Sequence, residues 1–310
     1  YLYDNLISQE EIIMNFKDLE YFQRLVREKS FTKVANAFHV SQPTITYAVK
    51  RLEDELGTEL VYRDQSHKQL IITQAGIVLS RHISNILKEV TIAVTEIDRL
   101  KEETLDFGLP PIIGNFYFPK LSSYLFKNNL MRHIHLVDGG SRDLYSLLRR
   151  GKIDLALLGS TQPIRDDELT SEILIEKKFM IVVSPNHPLA KRKEIAFSEL
   201  KDEPFVLLNE HYVHPTAFKK MAQQAHFDPQ IIYQNSNLNI LKGMIREQIG
   251  IGFLAELAIL PEDNLVMIPI TDQPQPMFII SLVQRDQVLD STIRGQLIEL
   301  IRGFSQQNEQ

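Results

Sequence analysis

The 310-residue chain contains no cysteine, which excludes disulfides, thiolate metal sites and a cysteine nucleophile and fits a cytosolic protein. No apolar run reaches the roughly 18 residues that a membrane-spanning helix needs, so no membrane partner is expected. An excess of basic charge is missing too. The formal net charge is −6, and any contact with nucleic acid has to come from a local basic face. The signatures of catalysis are equally scarce: there is no Gly-x-Ser-x-Gly elbow, P-loop, HExxH or GxGxxG. An enzyme is therefore not expected, and neither is a cofactor. Internal repeats are absent, and the one biased tract is the polar tail SQQNEQ.

Length alone points to about two or three domains. Residues 1–13, YLYDNLISQEEII, hold three acids and no base, unlike a signal peptide, and the domain reading starts at Met14. Leu19, Phe22, Leu25 and Val26 recur at helical spacing, as do Phe31, Val34, Ala35 and Phe38. After a short break at His39-Val40 comes SQPTITYAVKRLEDELG. Ser41 reads as its N-cap, Pro43 is tolerated in the first turn and Gly57 stands at C′. The inner face of this helix is Ile45, Ala48, Val49, Leu52 and Leu56; its outer face carries Gln42, Thr44, Thr46, Tyr47 and Lys50 with Arg51 beside them. Two short helices and a tight break predict a helix-turn-helix. LVYR and QLII around DQSHK predict a hairpin wing.

Such a module reads DNA through side chains that reach base edges, with cations on the phosphates. The candidates are Ser41, Gln42, Pro43, Thr44, Thr46 and Tyr47 for the groove, Lys50, Arg51 and Arg63 for phosphates, and the wing residues His67 and Lys68. A protein-binding module of the same shape is the alternative. Residues 14–73 hold nine Lys/Arg against eight Asp/Glu, but Ser41 to Arg51 contains two bases and no acid.

Thr73–Glu103 forms one long helical pattern, with apolar residues at Ala75, Leu79, Ile83, Ile86, Val90, Ala93, Ile97 and Leu100. Steps of three and four describe a heptad seam, and such a seam predicts pairing with a second chain. Pro110-Pro111 reads as the end of this arm. Beyond it, strand candidates PIIG, HIHLVDG, DLALLG, FMIVVS, PFVLLN, QIIYQN, GIGFLA, LVMIPI and MFIISLVQ alternate with helix candidates FPKLSSYLFKNN, SRDLYSLLRRG, PTAFKKMAQQA, NILKGMIREQI and one near 291–303. That alternation predicts an α/β fold with mostly parallel sheets.

SFTKVANAFHVSQPTITYAVKRLEDELGTELVYRD, followed by LIITQAG, resembles the N-terminal signature of the LysR-type transcriptional regulators. GKIDLAL and GIGFLAE resemble segments of the same family's C-terminal domain. The wing segment DQSHK is less basic than the family's usual wing, and FGLPPIIGNF stands where the family has a basic, Gly-containing strand. The resemblance implies a winged helix-turn-helix DNA-binding domain at 14–73, a linker helix for dimerisation at 74–104 and a periplasmic-binding-protein-like effector domain at 105–305. Subdomain I would cover 107–177 and 279–305, and subdomain II 180–273, with crossings near 176–180 and 274–278. It further implies a bacterial, cytoplasmic regulator, assembled as a dimer or tetramer, that binds double-stranded promoter DNA and recruits RNA polymerase. A small effector would sit in the cleft.

Ligands of open α/β sheets collect at strand C-termini beside helix N-termini. That rule selects Asn115, Phe116, Gly140, Ser141, Ser160, Thr161, Asn209, His211, Asn237 and Phe253 as effector candidates. Ser141 and Asn237 read equally as helix caps, and His211 with His214 lacks the company of acids that a metal site needs. Helix N-termini and hydroxyls favour a small organic acid. A looser similarity to malolactic-fermentation regulators within the family implies L-malate.

Overall fold

In the computed structural model of the protein the described residues are 14–64, 69–285 and 292–307; residues 1–13 lie outside them. They fall into two compact units that divide between Val94 and Thr95.

In the first unit, helices α1 (Phe16–Glu28), α2 (Phe31–Phe38) and α3 (Gln42–Leu56) each begin on a side chain that accepts an N–H of the first turn: Asn15, Ser30 and Ser41. Those bonds satisfy donors with no partner inside the helix. Lys29 and His39 close α1 and α2 with φ of 49° and 55°, and Gly57 closes α3 at 62° without the steric cost of a Cβ. Phe22, Leu25, Val34, Ile45, Leu52 and Leu60 form the core and are joined by Ile83 of α4. Strands β1 (Val61–Asp64) and β2 (Gln69–Ile72) pair antiparallel, with Val61 opposite Ile72.

Helix α4 runs unbroken from Gln74 to Glu102. Its start packs on the first unit's core through Ala75, Leu79, Ile83 and Leu87. Further along, the seam residues Ile86, Val90 and Ile97 and the adjoining Val94 are between 42% and 54% exposed, so this part of the helix presents an apolar stripe to solvent in the single chain.

The second unit is a nine-stranded mixed sheet in the order β4-β3-β5-β11-β6-β9-β7-β8, with β10 added on β6. The first lobe contains β3 (Leu105–Leu109), α5 (Pro111–Lys127), β4 (Ile134–Asp138), α6 (Ser141–Arg149) and β5 (Leu155–Ser160). The second contains β7 (Pro204–Leu208), α7 (His214–Gln224), β8 (Gln230–Asn235), α8 (Leu238–Arg246), β9 (Ile251–Ala255) and β10 (Val266–Pro269). Strands β6 (Leu169–Val183) and β11 (Met277–Arg285) join the lobes, and α9 (Thr292–Gln307) returns to the first. Within each lobe β3–β4, β3–β5, β7–β8 and β7–β9 are parallel. Every pairing made by β6 and β11 is antiparallel.

Four expectations from sequence need correction. The arm ends at Glu102 and not at Pro110-Pro111. The first strand of the domain is LDFGL rather than PIIG, because Pro111 occupies the first turn of α5, where its missing N–H is not needed. Helix α5 also runs through Pro119, which the sequence reading placed near a helix start; there the Asn115 carbonyl loses its usual i+4 donor. Finally, β6 begins ten residues before Phe179, and its polar first half (LTSEILIEKK) hid it from a search for apolar runs.

Gly76, in the first turn of α4, lies so close to the Leu60 carbonyl that a Cβ there would overlap the backbone, with the Ile72 side chain at 2.8 Å on the other side. Gly76→Ala should therefore lower the stability of the first unit by about 1–3 kcal/mol, measured by denaturant unfolding against wild type. An unchanged midpoint would show that α4 can move off the wing.

Candidate DNA interface and effector cleft

The α3 outer face is open. Gln42, Pro43, Thr46 and Lys50 are exposed, Thr44 is half-buried, and Tyr47 is 63% exposed. Between α3 and the wing runs a groove of about 860 Å³ lined by Gln42, Thr46, Lys50 and Tyr62 among others. Three candidates are engaged locally. The Ser41 hydroxyl lies 2.8 Å from that of Thr44 and accepts the Thr44 N–H, and the Thr46 hydroxyl donates to the Gln42 carbonyl at 3.2 Å.

Arg51 has a different task. Its Nε and Nη2 donate to the two oxygens of Asp18 at 2.7 and 2.6 Å, tying α3 to α1. Asp18 is 2% exposed, and a buried carboxylate requires such a partner. The pair leaves the Arg51 side chain 55% exposed, open to a phosphate as well. Glu53 accepts the N–H groups of Leu60 and Val61 at 2.8 and 3.2 Å and so fixes the entry to the wing. Arg63 pairs with Leu70 in the β1–β2 ladder; His67 and Lys68 lie outside the described residues.

In the second unit the loops after β4 and β7 meet. Gly140 abuts the His211 backbone so closely that a Cβ would overlap the His211 carbonyl. The His211 Nδ1 lies 3.4 Å from Asp143 Oδ2 of the opposite lobe. Ser141 is the first residue of α6 and not its cap; the cap position belongs to Gly140 and no side chain serves it. The Ser141 Oγ instead accepts the Gly159 N–H at 2.9 Å, which leaves its own O–H available as a donor. Gly140, Ser141 and His211 are thus brought together. Asn209 supports them by accepting the His211 N–H at 3.3 Å. Thr161 is half-buried beside Ser160, whose hydroxyl donates to the Gln162 carbonyl at 2.6 Å.

Four candidates make other contacts. Asn115 is exposed on α5 and Phe116 packs edge-on against Phe304 of α9 at 5.9 Å, because the PIIG segment is helical. Asn237 caps α8, accepting the N–H of Asn239 and Ile240. Phe253 is fully buried and stacks on Phe179 at 4.9 Å; β9 is covered on both faces, so its side chain belongs to the core.

Sequence reasoning missed Asp143 and weighed His214 only beside His211 as a metal ligand. Asp143 looks like an ordinary first-turn acid, and only the tertiary fold sets it opposite His211. His214 is 2% exposed and sits where the lobes join, edge-on to Phe179 at 5.3 Å, beside Phe278 at 5.4 Å, with Nε2 accepting the Ala255 N–H at 3.2 Å. That bond assigns the proton to Nδ1, which has no partner among the described residues. Burial pushes its pKa down to about 3. Among the described residues no cluster of His, Asp and Glu is arranged to hold a metal, and no helix is long and apolar enough to cross a membrane.

A winged helix-turn-helix with an open recognition face, joined by a long helix to a two-lobed α/β domain whose loops converge on a cleft, defines a ligand-responsive DNA-binding regulator. Residues 16–77 match the bacterial regulatory helix-turn-helix protein, lysR family, and residues 98–305 match the LysR substrate binding domain. The chain belongs to the LysR family of transcriptional regulators; it is not an enzyme. It is 35% identical over 291 residues to the malolactic fermentation system transcriptional activator of Lactococcus lactis subsp. lactis (strain IL1403), covering 93% of this chain and 98% of that one. It is 28% identical over 297 residues to the DNA-binding transcriptional dual regulator OxyR of Escherichia coli (strain K12), covering 93% and 95%. The fold is shared with a C206 mutant of Corynebacterium glutamicum OxyR, with a TM-score of 0.55 at 20% identity over 96% of this chain and 95% of that one.

Neutral, buried His214 makes stability depend on pH. Below pH 6.5 the unfolded histidine takes up a proton, whereas the folded one stays neutral down to about 3. The unfolded state therefore binds more protons in this window, and stability falls as pH falls. The slope approaches about 1.4 kcal/mol per pH unit for one group. His214→Gln, which keeps an acceptor for Ala255, should flatten the pH 4–7 dependence of unfolding free energy by that much; parallel curves would show that the imidazole titrates normally.

Proposed function

We propose that this regulator reads promoter DNA with Gln42, Thr44, Thr46 and Tyr47 of α3 and meets phosphates through Lys50, working in the cytoplasm as a dimer or tetramer paired through α4. Its effector is a small organic acid held in the cleft, and L-malate is the first candidate because the 35% identical relative is an activator of the malolactic fermentation system. Binding shifts the balance between two arrangements of the assembly, and with it DNA bending and RNA polymerase recruitment.

The observation that carries the effector reading is the meeting of Gly140 and Ser141 with His211. The N-terminus of α6 supplies N–H donors and a partial positive charge. Ser141 retains its O–H, and His211 already faces a carboxylate across the cleft, that of Asp143. An acid bound there would replace the Asp143 carboxylate at His211 and join the two lobes. The exposed Tyr47 and Thr46, with Lys50 one turn further along, support the DNA reading in the same way.

Thr46→Ala and Tyr47→Ala should lose sequence preference while keeping non-specific binding. Lys50→Ala should weaken binding to all sequences and reduce the slope of log affinity against log salt by about 1. Unchanged profiles for all three would remove α3 from the groove. For the effector, a thermal-shift screen against organic acids, L-malate included, should find one that adds about 2.7 kcal/mol of stability at 100 times its dissociation constant. That shift should fall in Ser141→Ala and in His211→Ala. If no acid shifts the unfolding temperature while DNA binding persists, the acid class is wrong.

A further inference from the structure

The last two turns of α4 are fastened to the first lobe by a cluster that neither the recognition face nor the cleft accounts for. Arg99 is at its centre. Its side chain is 13% exposed, and its guanidinium lies 2.6 Å from Asp106 Oδ2 and 2.7 Å from Asp154 Oδ1. It also donates to the Lys152 carbonyl at 2.6 Å and the Gly151 carbonyl at 3.3 Å. Asp106 stands on β3 and Asp154 immediately precedes the neighbouring strand β5, and the two are themselves connected. Asp154 Oδ2 accepts the Asp106 N–H at 2.8 Å, and the Asp154 N–H donates to the Asp106 carbonyl at 2.9 Å. One turn earlier, Glu96 pairs with Arg285 of β11.

The two carbonyls belong to the loop that leaves α6. Helix α6 therefore has Gly140 and Ser141, the candidate effector loop, at its front end and the Arg99 acceptors at its back. Nine residues of helix span only about 13 Å, and α6 is pinned along its length: Leu144 and Leu148 are fully buried, Tyr145 donates to Asp166, and Arg149 pairs with Glu168 at 3.2 Å. A short, packed helix moves as a body. A displacement of its N-terminus reaches Gly151 and Lys152, and through them Arg99.

We propose that Arg99 is a positioning residue that couples the effector cleft to the linker helix, so that movement of α6 on effector binding redirects α4 and the DNA-binding domain it carries. This rests on the proposed reading in which the assembly bends its DNA. A planar guanidinium is suited to the task, because its fork can hold two carboxylates and two carbonyls at once; an ammonium concentrates its charge at one point and cannot reproduce that geometry.

The test uses full-length protein and a DNA duplex selected from a random pool by the wild type, with bend angle and footprint length measured for wild type, Arg99→Lys and Arg99→Ala. The α3 surface is intact in both variants, so affinity for the selected duplex should be unchanged. The bend angle and footprint should differ from wild type in Arg99→Ala, with Arg99→Lys intermediate. With an acid that shifts wild-type unfolding, the variants should show the same thermal shift but lose the accompanying change in bend. A variant that bends DNA as the wild type does, with or without acid, overturns the coupling role. So does loss of cooperative unfolding in Arg99→Ala that Arg99→Lys fails to restore, which would make the cluster only structural. If the wild type itself leaves the duplex straight, the bending mechanism fails and the coupling role fails with it, an outcome separate from equal bending by all three proteins.

Discussion

Strands β6 and β11 run antiparallel from Leu169 opposite Arg285 to Lys178 opposite Met277, where β11 begins but β6 continues. Beyond Lys178, β6 exchanges its partner: Phe179 faces Ala255 of β9, and Met180 faces Pro269 of β10. The division of the domain into lobes follows from that exchange. Every buried backbone donor must find an acceptor, so the lobes can twist about the paired strands but cannot part without opening the ladder. The side chains at the exchange point are Phe179 and Phe278, with His214 against both. Gly159 makes room for the Phe278 ring, which lies 2.7 Å from where a Cβ would stand. The junction between the lobes is thus aromatic and buried, and Ser141 and His211 are carried by the loops that meet beside it.

The DNA-binding unit divides its polar residues in a comparable way. On α3 the charges cluster in KRLEDE, yet neighbouring residues point about 100° apart and meet different surroundings. Arg51 neutralises the buried Asp18, Glu53 orders the turn into the wing, and Lys50 stays exposed. The near-neutral charge of the domain is therefore a poor guide to its surface. Some of its ions are internal struts, and the cationic character available to a phosphate depends on those that remain.

Local signals made most of this legible in advance. Helix caps at Ser41 and Gly57, the heptad steps of α4 and the alternation of strands with helices depend on neighbours in sequence, and the structure follows them. The misreadings have a common cause. PIIG looks like a strand because its residues are apolar, and Pro119 looks like a helix start because that is where proline costs least; the covering of α5 by Phe304 and Ser305 of α9 overrides both. Phe253 reads as a ligand residue because it stands near a strand end, although its packing among Phe179, Phe197 and Phe218 is a tertiary fact. The Asp18 partner of Arg51 and the His211 partner of Asp143 are illegible for the same reason, since each lies more than thirty positions away.

Helix α4 carries the consequences of both units. Ile86, Val90, Val94 and Ile97 remain about half exposed along it, and burying the rest of each is worth about 1 kcal/mol, which favours covering this stripe. Ile97 and Arg99 are two residues apart, so they project about 200° from one another around the helix. Glu96 and Arg99, three apart, share a face instead. The apolar stripe and the ionic fastening therefore occupy opposite sides of the same two turns. A helix held this way cannot rotate to improve one contact without loosening the other. Any rearrangement of the first lobe must then be answered by a shift of α4 as a whole or by a change at its partner.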